Sequence, residues 1–241
     1  MKRLIVLFMI IALTLSLTAC GSSSAATTAS APQATETPAA QAEAATQSNV
    51  AEENTETPSV QETNSEKNRV LIVYFSPANA DSVDIVSGAT PRVGEISSVE
   101  FVANLINAQI SADTAKIVPS QAYPAEYNAT ADKAKNEQNQ NERPAFTLSV
   151  NPEEYDVIFI GYPIWWYHLP MIMQSFFDTY DLSGKTIIPF NTHAGSRDGG
   201  TYREVAAFEP NATVLEGLAV SGDRAGNAES DVQSWLSRLT Y

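Results

Sequence analysis

The sequence predicts an α/β domain built on a doubly wound, five-stranded parallel sheet, set behind an N-terminal segment that does not join it. Three observations carry this prediction. Short runs such as Val70–Phe75 and Val157–Ile160 are apolar throughout, without polar alternation, as befits strands buried on both faces. Stretches of helical character separate these runs, and strands spaced by helices argue a parallel sheet covered on both sides. Residues 21–67 are almost wholly Ala, Thr, Ser, Gln, Pro and Glu, with no aromatic residue, and bury too little apolar surface to fold.

The elements follow in order. Val70–Phe75 is the first strand. Ser97–Ile110 places Val99, Val102, Leu105, Ile106 and Ile110 on one helical stripe, and Ser97 with Glu100 makes a capping-box pattern at its start. Thr114–Val118 is the second strand. Glu126–Glu142 is polar and helix-favouring, and Arg143-Pro144 ends it. Val157–Ile160 is the third strand, running to Gly161. Met171–Tyr180 is a short apolar helix entered through Pro170. Lys185–Asn191 is the fourth strand, Thr201–Phe208 a helix, Thr213–Val220 the fifth strand, and Ala228–Leu239 the closing helix.

The first nineteen residues read as a signal peptide. Lys2 and Arg3 precede an apolar run, Leu4–Leu17, shorter than the roughly twenty residues of a membrane span. The run ends in Leu-Thr-Ala-Cys, which is similar to a bacterial lipoprotein signal and implies cleavage before Cys20 and acylation of its sulfur. Residues 20–67 then form a disordered tether, and 68–241 one well-buried domain. This expectation makes the protein extracytoplasmic and lipid-anchored to a membrane.

Composition excludes several functions. The formal charge is −14, with no basic stripe, which disfavours nucleic acid and anionic lipid surfaces. One cysteine and two histidines leave no zinc site of ordinary spacing. No Gly-x-Ser-x-Gly elbow, Walker sequence or Gly-x-Gly-x-x-Gly fingerprint is present.

Three segments carry the functional signal: Val70–Ser76 (VLIVYFS), Asp156–Trp166 (DVIFIGYPIWW) and Lys185–Ser196 (KTIIPFNTHAGS). With these the chain resembles the flavodoxin family, in particular a branch containing Pro-Ile-Trp-Trp, from about Arg69 to the C-terminus. The resemblance implies strand order 2-1-3-4-5 and FMN at the carboxyl ends of the first, third and fourth strands. It implies ring contacts from Pro163, Ile164, Trp165 and Trp166, one tryptophan stacking while the other packs inward. Gly161 would admit a ring. His193, Ala194, Gly195 and Ser196 would meet the pyrimidine edge, with His193 either offsetting charge there, as Arg197 could, or capping the following turn. In that family the loop after the first strand and the next helix N-terminus cradle the phosphate. Here Ser76 is kept, residues 77–96 are an insertion, and the helix opens with Ser97 and Ser98, a poorer nest.

Within the insertion stands Asp84-Ile85-Val86-Ser87-Gly88-Ala89-Thr90. It is similar to a motif of secreted and membrane flavoproteins in which a flavin transferase esterifies the final Thr to FMN. That resemblance makes Thr90 the attachment point and Asp84, Ser87, Gly88 and Ala89 recognition elements. The expected function is electron transfer by bound FMN to or from a redox partner protein, with no catalytic side chain. The alternatives are an FMN-dependent quinone or small-molecule reductase, and a non-redox lipoprotein that kept the fold without cofactor.

Overall fold

β1 (Val70–Phe75) occupies the middle of the sheet, and its residues from Leu71 onward are buried. The computed structural model describes residues 68–77 and 88–241, all within the compact unit Gln61–Tyr241. The expected signal peptide, Cys20, the tether to residue 67, and residues 78–87 with Asp84 and Ser87 lie outside the described residues.

After β1, the short strands β2 (Arg92–Val93) and β3 (Ile96–Ser97) pair antiparallel and lead into helix α1 (Ser98–Ile110). Ser97 caps α1, its Oγ accepting from the Glu100 N–H at 3.2 Å. The reciprocal half of the capping box is replaced by an ion pair, Glu100 with Lys116 at 3.3 Å. β4 (Asp113–Pro119) follows, then α2 (Tyr127–Gln140), capped by the Glu126 carboxylate. Past Pro144, β5 (Phe146–Thr147) adds an antiparallel edge to β4. β6 (Val157–Pro163), α3 (Met171–Thr179), β7 (Thr186–His193), α4 (Thr201–Phe208), β8 (Thr213–Val214), β9 (Leu218–Ser221) and α5 (Glu229–Leu236) complete the chain.

The order across the main sheet is β5-β4-β1-β6-β7-β8, with β9 also on β7. Apart from the β5 edge, every pairing in it is parallel, so the expected 2-1-3-4-5 order is the observed one. The fifth strand departs from expectation in being split. β7 pairs with Val214 through Ile187 and with Leu218 through Phe190, and Pro189 stands between. Proline has no N–H to continue the ladder at the interruption.

Alternation along the strands sorts the core into two layers. Leu71, Val73, Phe75, Ile158 and Ile160 pack with Phe176 of α3 and Val205 of α4. Ile72, Val157, Phe159, Ile188 and Phe190 pack with Val102 and Ile106 of α1 and Trp235 of α5. Each such fully buried side chain contributes roughly 1.5–3 kcal/mol. Gly161 serves this core rather than a ligand. β6 runs through it, and an added Cβ would lie 2.2 Å from Cζ of Phe190, its partner in register.

Candidate functional site

Beyond the carboxyl ends of β6 and β7 lies a cavity of about 420 Å³, within the usual range for small-molecule sites. One wall is Gly88 and Ala89 with the loop Ala194–Ser196; the other is the first half of α2 with the loop Ile164–Tyr167. Facing walls of backbone, small side chains and aromatic surface suit a flat ring.

The Trp165–His168 loop is a two-residue hairpin turn. Trp165 and His168 exchange backbone hydrogen bonds of 3.2 and 3.0 Å, while Trp166 and Tyr167 have φ of +50° and +65°. Asn-Gly normally occupies such positions, and a non-glycine residue there costs roughly 1–2 kcal/mol. Neighbours hold the turn in place. The Trp166 Nε1–H donates to the Ala131 carbonyl at 3.0 Å, and the Lys135 ammonium sits 5.3 Å from the Trp166 ring centroid. On the other side Glu204 pairs with His168 Nδ1 at 2.9 Å and accepts from the Leu169 N–H at 3.2 Å.

The two tryptophans diverge. Trp165 is buried edge-on against Phe75 and Tyr123, and its indole N–H meets no acceptor among the described residues. Trp166 is about half exposed. Behind Trp165, the Tyr123 hydroxyl donates to the buried Glu137 at 3.0 Å, and burial raises the pKa of both groups.

The loop after β7 is braced at both ends. His193 accepts from the Gly195 N–H through Nδ1 at 3.0 Å. That bond requires a neutral imidazole, and burial, aided by the Arg197 charge, lowers the His193 pKa accordingly. Asn191, fully buried, donates to the Arg197 carbonyl at 3.0 Å and accepts from the Tyr202 hydroxyl at 2.6 Å. Thr201 completes the frame by bonding Tyr162 at 3.0 Å and the Asp198 carbonyl at 2.6 Å.

The N-terminus of α1 is covered. Ser97 and Ser98 are fully buried. The Ser98 N–H donates to the Pro91 carbonyl at 2.9 Å, and its hydroxyl to the Ala89 carbonyl at 3.3 Å. Thr90, between those two residues, is 1% exposed.

Of the residues singled out in the sequence, Ile164, Trp165, Trp166, Ala194, Gly195 and Ser196 therefore meet around one cavity, with Gly88 and Ala89 of the insertion. Ser76, Thr90, Pro163, Ser97, Ser98 and His193 are buried and stand outside its lining. Sequence reasoning missed the α2 wall. Thr130 and Ala131 lie one turn before Ala134 on a largely polar helix, and small residues in such a helix carry no signal that sets a cavity wall apart from a solvated face. Among the described residues no cluster of His, Cys, Asp and Glu can hold a metal, and no helix is long and apolar enough to cross a membrane.

Comparison with known proteins bears on this geometry. No curated protein matches the sequence. Among solved structures, a protein assigned as a flavoprotein from Bacteroides uniformis aligns at 25% identity and TM-score 0.56, over 71% of this chain and 99% of that one. A similarly assigned protein from Bacteroides eggerthii aligns at 28% identity and TM-score 0.55, over 71% and 97%. A sequence model described as flavodoxin matches residues 94–239, more than half of the chain. With that match and the 2-1-3-4-5 sheet beneath it, the chain belongs to the flavodoxin family.

Proposed function

We propose that this chain is an extracytoplasmic, lipid-anchored electron-transfer protein that holds FMN, bonded through Thr90. The observation that carries the reading is the cavity at the carboxyl end of the sheet. Aromatic and aliphatic surface faces a wall of glycine, alanine and backbone there, a shape that fits an isoalloxazine ring, and FMN is the cofactor the family implies. Bound flavin supplies one- and two-electron redox chemistry. Ile164, Trp166 and Ala131 would hold the ring faces and exclude water. The Ala194–Ser196 backbone, fixed by His193 and Asn191, would orient the polar edge.

The bond to Thr90 is supported by the Asp84–Thr90 motif and by the position of its last residue. Thr90 lies between two carbonyls held by Ser98 at the first turn of α1, where the helix dipole favours a phosphodiester anion. The Thr90 oxygen would attack the flavin phosphate of an activated flavin dinucleotide, and the nucleoside monophosphate would leave with the hydroxyl proton. Because Thr90 is buried, residues 88–91 must lift from α1 for this to happen. A covalent link also suits a protein outside the cytoplasm, where dissociated FMN is lost. Cys20 directly after the apolar run supports the anchor.

Whole-protein mass spectrometry tests the bond. Co-expression with a flavin transferase in a secreting host should add one FMN less water to the mature chain, and Thr90→Ala should abolish the addition. Tight FMN binding with no gain in mass would sink the covalent claim and leave the family's cofactor in place.

One observation favours a reductase as the second reading. Tyr127, Trp166 and Tyr167 ring the cavity mouth at 49%, 47% and 68% exposure, a shelf for a flat acceptor such as a quinone. Turnover of a quinone by the reduced domain alone would select it over a carrier.

A further inference from the structure

We propose that Glu204 is a positioning residue of the flavin site: its carboxylate holds the Trp165–His168 turn at the separation from the Ala194–Ser196 loop that a flavin ring needs. The inference rests on the flavin reading above and names the residue that sets the width of that site. Trp166 and Tyr167 line the cavity from two successive left-handed positions, which non-glycine residues keep only where their surroundings hold them. The Trp166 bond to Ala131 fixes the tip of the turn. Glu204 fixes its stem. One carboxylate oxygen accepts from His168 Nδ1 at 2.9 Å and the other from the Leu169 N–H at 3.2 Å, so a single side chain grips two successive residues. The His168 and Glu204 side chains are 53% and 26% exposed, and an ion pair that open adds little to stability. Its effect is on geometry.

The base from which Glu204 reaches is itself fixed. In the same first turn of α4, the fully buried Thr201 bonds Tyr162 of β6 and the Asp198 carbonyl, and the Tyr202 hydroxyl bonds Asn191 of β7. Residues 201–204 therefore hold both strands that lead into the cavity loops. The loops also abut. At Gly199, with φ of +59°, an added Cβ would come within 3.2 Å of the Tyr167 carbonyl and 3.4 Å of Ile164 Cγ2. Glu204 clamps the aromatic turn against that contact. Without the clamp the turn relaxes toward ordinary backbone conformations, and apparent affinity falls with the fraction of molecules that keep it in place.

The test uses the mature chain made without a transferase, as wild type, Glu204→Ala, Glu204→Gln, His168→Ala and Glu154→Ala. The last removes one exposed carboxylate ahead of the amino end of β6 and controls for charge. Stopped-flow flavin fluorescence with FMN gives association and dissociation rates separately. Glu204→Ala should release FMN at least about tenfold faster, with association changed less than about threefold. Glu204→Gln keeps acceptors for the Leu169 N–H and for His168, and should stay within about threefold of wild type, as should Glu154→Ala. His168→Ala leaves α4 untouched and should speed release in the same direction, which keeps the claim testable should Glu204→Ala fold poorly. Wild-type release rates in Glu204→Ala or, if that variant does not fold, in His168→Ala overturn the inference while the flavin reading survives. A Gln variant as impaired as the Ala variant assigns the effect to charge and overturns it too. A wild type that takes up no FMN overturns both.

Discussion

Asn191 offers the sharpest test of how the fold builds its site. It sits in the middle of the sheet, fully buried, yet its two hydrogen bonds reach outward, to the Tyr202 hydroxyl and to the carbonyl of Arg197 just past the cavity loop. Asn191→Ala removes both bonds and strands two polar groups. The tyrosine is well enough buried that its pKa is pushed upward, so water does little to replace the lost partner. At roughly 1–3 kcal/mol for each stranded group, the loss is about 2–5 kcal/mol. That is a large part of the roughly 5–15 kcal/mol that holds an ordinary domain folded. Tyr202→Phe should cost less, about 1–2 kcal/mol, because one acceptor is left without its donor. Since the two substitutions share a bond, the double variant should cost less than the sum of the singles by about 1 kcal/mol. Urea denaturation at unchanged slope measures each value, and amide exchange of residues 194–197 should quicken in Asn191→Ala. Additive costs, or exchange in that loop equal to wild type, would refute the claim that the strand braces the cavity.

Two further outcomes follow from the site's geometry. His193 is neutral in the folded state with its pKa held below the ordinary value of about 6.5, so between those two values the unfolded chain binds more protons. Its contribution to stability should be complete above about pH 6.5 and be lost as pH falls through the folded value; a denaturation series over that window should show the slope, and His193→Gln should remove it. Replacing Trp166-Tyr167 by Asn-Gly should relieve about 1–3 kcal/mol of turn strain and raise the melting temperature while weakening flavin binding. A variant both more stable and unimpaired in flavin titration would mean the aromatic turn serves no ligand.

Much of the sheet was legible because its signal is strong and local. Runs such as Val70–Phe75 and Val157–Ile160 lack polar alternation only because helices cover both faces, and Ser97 caps its helix as the spacing with Glu100 predicts. Boundaries and breaks were less legible, because tertiary partners decide them. The fifth strand parts opposite Pro189, and Gly161 makes room for Phe190, a neighbour visible only once β6 and β7 are paired. The Ile164–Trp166 and Ala194–Ser196 loops were readable as one site through resemblance alone. Propensity hid the α2 wall, since alanine and threonine on a polar helix look the same whether they face solvent or a cavity. The closed N-terminus of α1 was equally hidden. Ser97 and Ser98 have the chemistry of a phosphate nest, and only the structure shows that Ser97 accepts from the Glu100 N–H while Ser98 donates to the Ala89 and Pro91 carbonyls.

The central claim is that a flavin ring enters between α2, the Trp165–His168 turn and the Ala194–Ser196 loop. Amide chemical-shift mapping of the isotope-labelled mature chain during FMN titration tests it most directly. Shifts should concentrate at residues 130–134, 164–167 and 194–196, with the indole signals of Trp165 and Trp166 moving at saturation. Unshifted loops, or changes confined to the opposite end of the sheet, would contradict the account.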